Sequence, residues 1–246
     1  FTGKREGLEE IKDVKFLNDL LITAGVQLLF DQATRLTDRF CRGCSNCTLT
    51  SKELKSIGGF CCKEGERVKS SGEYLSYICG GECETDEATQ IGQSSLEGGR
   101  KMSIAIFRDW QTQWSVRALQ EIDQDEFITQ ALGEVNDRPS IEGHRDHDFE
   151  MGTPHPKTGE NITICLEEKG NEVRFFNHSC HPNMVACSVM KERYGHFFSR
   201  KCFYTKRPIL AGEEITFDYF AGNKEVALKT ELFARCLCGT AGCYWN

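Results

Sequence analysis

A mainly β fold of several small sheets, with thiolate-bound metal segments on either side and a helix in front, is the fold class this sequence predicts. Three observations predict it. From Ser103 onward the chain is a series of short runs rich in β-branched and aromatic residues, separated by turn signals. Seven of the 14 cysteines crowd between Cys41 and Cys83, and three more fall in the last eleven residues. Residues 8–39 carry apolar side chains at three- and four-residue steps.

The first element is the helical segment, residues 1–39. Leu8, Ile11, Val14, Leu17, Leu20, Leu21, Leu28 and Leu29 recur with charged residues between them, the pattern of an amphipathic packing helix.

The second element, residues 40–99, is read from its cysteines. A disulfide framework suits a small secreted domain, whereas this chain shows no secretory signal and at 246 residues needs no staples. Cys41, Cys44, Cys47, Cys61, Cys62, Cys79 and Cys83 have the short spacings that tetrahedral zinc takes. Seven thiolates fit two zincs that share one bridging sulfur, so a dinuclear cluster is expected. From Gly58 to Gly99 the sequence is rich in Gly, Ser and Cys with little periodicity, as expected where metal replaces an apolar core.

The third element, residues 100–222, is the β core. Strands are expected over 103–107, 114–118, 127–132, 162–166, 185–189, 196–204 and 214–219, with one short helix around 171–176. The stretch 136–161 is polar and turn-rich, a substrate-facing insertion or a long loop. The last element, residues 223–246, ends in Cys236, Cys238 and Cys243, three ligands where a structural zinc needs four. Cys165, Cys180, Cys187, Cys202 and the histidines are candidates for the fourth, and spacing does not choose among them.

Composition narrows the partners. Hydrophobic residues make up 39% and charged residues 27%, the balance of an ordinary globular protein. No apolar run reaches the roughly 18 residues of a membrane span, and no signal-peptide pattern follows Phe1. The chain is expected to be a soluble portion of something longer. A net charge of −7 weighs against direct nucleic-acid binding, which needs clustered Lys and Arg. Between Glu121 and Glu150, ten acidic residues against two arginines leave a local charge near −8, a surface suited to a cationic peptide or simply a solvated acidic face.

Two segments carry the chemistry. They are Arg174-Phe175-Phe176-Asn177-His178-Ser179-Cys180-His181-Pro182-Asn183 and Gly212-Glu213-Glu214-Ile215-Thr216-Phe217-Asp218-Tyr219. Together they resemble the two signature motifs of SET-domain protein lysine methyltransferases. Gln113-Trp114-Ser115-Val116-Arg117-Ala118 resembles the family's donor-binding strand, Leu132-Gly133-Glu134 the strand after it, and the terminal cysteines the post-SET zinc motif. The segment before Ser103 resembles the pre-SET zinc module of the suppressor-of-variegation class, whose members methylate histone H3 on lysine 9. The resemblance covers roughly residues 40–246.

What the resemblance implies is specific. The fold would be the SET fold, its C-terminal motif threading past the Asn177–Cys180 segment in a knot-like crossing. The activity would be transfer of methyl groups from S-adenosylmethionine to histone H3 lysine 9. The histone H3 tail would be the partner, with other chromatin-associated proteins beside it, and the place of work would be nuclear chromatin. Tyr219 matches the catalytic tyrosine, whose hydroxyl helps deliver a deprotonated lysine to an in-line displacement. Trp114, Phe149, Arg174, Asn177, His178, Tyr219 and Trp245 match donor-binding positions, and Tyr244 and Trp245 would stack on the adenine or wall the lysine channel. Phe217 matches the position that sets product degree, where Phe implies di- or trimethylation. Cys180 completes the tail site with Cys236, Cys238 and Cys243, for about three zincs in all.

Four features depart from the family pattern. Gln113 and Ser115 replace the donor-strand glycines, Ala131 replaces a channel tyrosine, Phe149 stands for the donor-side tyrosine, and Glu73 and Tyr77 fall where two pre-SET cysteines would be. Two other readings follow from these departures: a catalytically weak module that binds histone tails as a scaffold, and a methyltransferase for a non-histone protein.

Overall fold

The structure is a computed structural model that describes residues 15–16, 21–22, 76–78, 100, 102–109, 113–136, 150–154, 161–193, 196–229 and 236–245. In chain order its elements are β1 (Lys15–Phe16), β2 (Leu21–Ile22), β3 (Ser76–Ile78), β4 (Ile104–Asp109), β5 (Gln113–Ala118), β6 (Phe127–Gln130), β7 (Gly133–Asn136), β8 (Glu150–Pro154) and β9 (Asn161–Gly170). A 3-10 turn (Glu172–Phe175) follows, then β10 (Asn177–His178), β11 (Met184–Arg193), β12 (His196–Thr205), β13 (Thr216–Phe217) and α1 (Lys224–Lys229). The chain is mainly β, and it divides into two units, residues 1–33 with 131–174 and residues 34–130 with 175–246.

The first unit is one sheet organised on β9. β7 and β8 pair antiparallel with β9, opposite Ile164 at Val135 and Met151, while β1 pairs parallel with its end and β2 parallel with β7. Ile164 and Leu166, two residues apart on one face, are fully buried with Val135. Gly133 is obligatory there: a Cβ would lie 2.3 Å from the Cys165 carbonyl oxygen.

This sheet corrects one expectation. Within the segment expected to be helical, Lys15–Phe16 and Leu21–Ile22 are strands, and the rest of residues 8–39 lies outside the described residues. β1 and β2 pair along β9 and β7, and that pairing overrides a helical period that reflects only local spacing. The stretch 136–161 likewise contributes a strand, β8, which its polar composition hid.

The second unit contains the long antiparallel hairpin β11–β12, flanked by β6 on β12 and by β3, parallel, on β11. β4 and β5 form a separate hairpin. Successive residues of β12 serve opposite faces. Phe203 packs on Phe176 (5.5 Å between centroids) and Phe217 (5.0 Å), while Cys202 and Tyr204 face Cys187 and Phe127. Both faces are therefore buried. Of the strand expected over 214–219 only Thr216–Phe217 is regular. The residues before it still follow β5, through Ala118 N–H to Glu213 O (3.0 Å) and Ile215 N–H to Val116 O (2.8 Å). The helix expected around 171–176 is a single 3-10 turn.

Candidate active site

The site is built on the shortest sheet of the second unit. β10 and β13 run parallel, with Asn177 opposite Thr216 and His178 opposite Phe217. Ser179 N–H extends the pairing to Phe217 O at 3.1 Å. Two segments more than thirty residues apart are thereby fused, which is the form the expected chain crossing takes. Asn183 locks the register: its amide donates to Glu213 Oε1 (3.0 Å) and Glu214 O (2.8 Å), and its oxygen accepts Thr216 N–H (2.9 Å).

Tyr219 lies two residues beyond the end of β13. Its hydroxyl donates to the Phe176 carbonyl at 2.6 Å, and its main-chain N–H donates to His178 Nδ1 at 3.2 Å. Its ring lies 4.7 Å from Phe217 and 5.4 Å from His178, and 36% of the residue remains exposed. A tyrosine in this state has its proton directed into the protein and its oxygen lone pairs available to an incoming donor.

Asn177 is held from three sides. Its amide nitrogen lies 2.7 Å from Ser115 Oγ, 2.9 Å from Glu214 Oε1 and 3.1 Å from the Trp114 carbonyl. The carboxylate and the carbonyl can only accept, which fixes the orientation of the amide. Ser115, which stands where the family pattern has glycine, is fully buried with its hydroxyl on Asn177.

His178 sits among Tyr219, Phe220 and Trp245, with ring centroids at 5.4, 5.3 and 6.0 Å. Burial holds its pKa below the usual histidine value, and Asp218, 3.6 Å from Nδ1, opposes that shift. Because Nδ1 accepts the Tyr219 N–H, the neutral ring carries its proton on Nε2, which faces Cys180 Sγ at 3.3 Å.

Cys180, Cys236, Cys238 and Cys243 bring their sulfurs within 4.8 Å of one another. Cys180 Sγ lies 3.8 Å from Cys236 Sγ and 3.9 Å from Cys243 Sγ, close to the edge of about 3.8 Å that a zinc–sulfur tetrahedron with bonds of about 2.3 Å requires. Burial pushes the Cys180 thiol up to about 11 and raises Cys236 as well. For Cys238 burial acts in the same direction, but hydrogen bonds from Thr240 outweigh it and hold the thiol at about 6. A packed set of four sulfurs, with hydrogen bonds that favour the thiolate of Cys238, is a donor set that suits a divalent cation.

The other expected site residues are distributed as follows. Trp114 stands edge-on to Phe175 at 6.2 Å, with the Arg108 guanidinium 5.9 Å from its ring. Arg174 belongs to the first unit, where Nη1 donates to the Leu166 carbonyl at 2.9 Å and to that of Glu167. Ala131 is fully buried in that unit. Phe149, Cys41, Cys44, Cys47, Cys61, Cys62, Cys79 and Cys83 lie outside the described residues. Phe203, which backs Phe217, was not singled out from the sequence, because nothing distinguishes it within a run of strand residues. The Phe176 carbonyl was also missed, since no side-chain pattern reports a main-chain acceptor. Tyr244 differs from expectation in a useful way: its hydroxyl donates to Asp218 Oδ2 at 2.6 Å.

Comparison with known proteins gives a consistent result. Residues 113–220 match the SET domain family. Over 180 residues, covering 68% of this chain and 28% of the relative, the chain is 31% identical to the histone-lysine N-methyltransferase Su(var)3-9 of Drosophila pseudoobscura pseudoobscura. It is 28% identical to the H3 lysine-9 specific histone-lysine N-methyltransferase SUVH1 of Nicotiana tabacum, over 82% of this chain and 29% of that one. The chain thus spans less than a third of the length of these two relatives. Its fold matches the Neurospora SET domain protein DIM-5, a histone lysine methyltransferase, with a TM-score of 0.60 and 20% identity over 92% of this chain and 94% of that one. It also matches KRYPTONITE, solved in complex with mCHH DNA, an H3(1-15) peptide and SAH, with a TM-score of 0.63 and 18% identity over 98% of this chain and 49% of that chain.

Proposed function

Since the chain belongs to the SET-domain family and is a homologue of the Su(var)3-9 histone-lysine methyltransferases, we propose that it transfers methyl groups from S-adenosylmethionine to lysine 9 of histone H3, to the di- or trimethyl state. The observation that carries this reading is the β10–β13 pair, which sets Asn177 and His178 beside Thr216 and Phe217 on one short parallel sheet, with Tyr219 just beyond it and its hydroxyl on the Phe176 carbonyl.

The donor supplies an electrophilic methyl group on a sulfonium. The residues of the chain supply everything else: they hold the donor, strip water from the lysine amine and align it for displacement. Tyr219 is the catalytic residue, since its oxygen can accept a hydrogen bond from the amine and orient the nitrogen lone pair. Trp114, Asn177, His178, Tyr219 and Trp245 are the donor-binding residues of the second unit, and Phe149 and Arg174 match donor-binding positions through the family pattern alone. The aromatic rings of Phe217 and Tyr219 suit an amine that gains methyl groups and positive charge, by cation–π attraction. Phe217 brings no hydroxyl that would order a water in the space for added methyls.

Zinc would hold the rest together. Cys180, Cys236, Cys238 and Cys243 would take one ion and fasten the tail, and Cys41, Cys44, Cys47, Cys61, Cys62, Cys79 and Cys83 would take two, for about three per chain. The histone H3 tail is the partner, and the acidic stretch from Glu121 to Glu150 suits its cationic sequence. A net charge of −7 favours such a peptide over direct nucleic-acid contact by this region. The work would be done on nuclear chromatin.

The test is mass spectrometry of an H3 tail peptide incubated with the protein and S-adenosylmethionine, alongside the same peptide with lysine 9 replaced. Gains of two or three methyl masses on the first peptide and none on the second are expected. Transfer only to unrelated basic peptides would make this a methyltransferase for another protein. Tight peptide binding with no transfer would make it a histone-tail scaffold.

A further inference from the structure

We infer that Tyr244 is a positioning residue for the methyl transfer proposed above: it fastens the thiolate-bound tail to the turn that carries Tyr219. The inference rests on that reading of the site. Tyr244 reaches in two directions. Its main-chain N–H points to Cys180 Sγ at 3.3 Å, and its hydroxyl donates to Asp218 Oδ2 at 2.6 Å. The second contact has the length of a charge-assisted O–H···O⁻ bond.

Asp218 has further work. Oδ1 accepts the Phe220 N–H at 2.9 Å, and Oδ2 accepts the Gly222 N–H at 2.8 Å as well as the Tyr244 hydroxyl. These bonds close a turn in which Ala221 has φ 48° and Gly222 has φ 85°. The left-handed region suits glycine and disfavours alanine, so the turn depends on the carboxylate that closes it. Tyr219 begins that turn, and its hydroxyl must stay on the Phe176 carbonyl while its N–H stays on His178.

Packing alone does not account for Tyr244. Its ring centroid is 6.3 Å from His178 and 6.2 Å from Trp245, toward the far end of aromatic contact. What distinguishes the residue is its pair of polar contacts, main-chain N–H to Cys180 Sγ and hydroxyl to Asp218, which joins the tail to the segment before it and to the turn that carries Tyr219. A tail fastened by its sulfurs would thereby set the position of the catalytic tyrosine.

The experiment uses Tyr244→Phe, which keeps the ring and removes only the hydroxyl, and Asp218→Asn as a second variant that removes the charge and keeps one of the two acceptor oxygens of the turn. In Tyr244→Phe, kcat is expected to fall about tenfold, the loss of one hydrogen bond to a charged group. KM for S-adenosylmethionine and peptide and the zinc content should stay at their wild-type values. Hydrogen exchange at the Phe220 and Gly222 amides should speed up by a similar factor. The effects of the two substitutions on exchange should be strongly non-additive in the double variant. Wild-type exchange at both amides in Tyr244→Phe, or simple additivity, would overturn the inference. Faster exchange with unchanged kcat would overturn the positioning role. If exchange responds as expected but the unaltered protein methylates no peptide, the fastening stands and the methyltransferase reading fails.

Discussion

The Tyr219 hydroxyl donates to the main-chain carbonyl of Phe176 at 2.6 Å, so its proton is committed and its oxygen is left with lone pairs that can accept. Removing that oxygen leaves the ring and its contacts with Phe217 and His178 in place. Tyr219→Phe is therefore expected to lower kcat by about 100-fold or more while S-adenosylmethionine still binds. Single-turnover transfer paired with calorimetric titration of the donor checks this. Retention of full activity would remove Tyr219 from the catalytic role.

Asn183 is 2% exposed and makes three hydrogen bonds to residues 213–216. Asn183→Ala strands the Thr216 N–H, and a loss of about 2–4 kcal/mol in urea unfolding is expected. The donor-free protein should show it, since the bonds belong to the fold. A change within experimental error would mean that β13 is held by its pairing with β10 alone.

Glu213 makes this region sensitive to acid. Burial raises its carboxyl, but the hydrogen bonds from Arg207, Leu210 N–H and Asn183 outweigh burial and hold it below 4.5. The unfolded chain then binds the proton more readily, so the stability Glu213 contributes is complete above 4.5 and is lost as pH falls through the lower folded value. Glu213→Gln should flatten the pH dependence of Tm in that acid range. Parallel pH profiles for the two proteins would contradict the assignment.

The strands of the core were legible because β-branched and aromatic runs such as Ile104–Phe107 and Phe197–Tyr204 are local strand signals that need no distant partner to be read. The motif residues were legible for a different reason: Asn177, His178, Phe217 and Tyr219 match the family pattern residue for residue. What stayed hidden depends on partners distant in sequence. The Lys15–Phe16 and Leu21–Ile22 strands exist because β9 and β7 offer edges, and no local window contains those edges. Ser115 read only as a departure from the family glycine, because its hydroxyl meets an amide 62 residues away. Tyr244 read as an aromatic wall because its hydroxyl partner, Asp218, lies 26 residues back.

The four sulfurs of Cys180, Cys236, Cys238 and Cys243 converge without any disulfide among them. Elemental analysis is expected to find about three zincs per chain, and Cys243→Ser should lower that to about two. Chelation should lower Tm, because ion binding to such a site is folding free energy. An unaltered protein with about one zinc would remove the two-metal cluster assigned to Cys41–Cys83, while an unchanged count in Cys243→Ser would remove the tail site.

Phe217 is 8% exposed and stands between Phe203 at 5.0 Å and Tyr219 at 4.7 Å, so its ring plane is fixed by neighbours on both sides. A hydroxyl added there cannot move away by rotation of the ring, which is symmetric about that axis. It would stand beside the reacting amine and hold a water or the amine itself, in the space that a second and third methyl group need. Phe217→Tyr is therefore expected to keep the first transfer within about fivefold of the wild-type rate, since one added polar contact is worth about 1 kcal/mol or less, and to stop at the monomethyl product. The mass distribution of the peptide at long reaction times decides it. Accumulation of monomethyl peptide supports the placement of Phe217 at the lysine channel. An undiminished trimethyl product from Phe217→Tyr would show that product degree is set elsewhere, by residues that surround the amine without touching this ring.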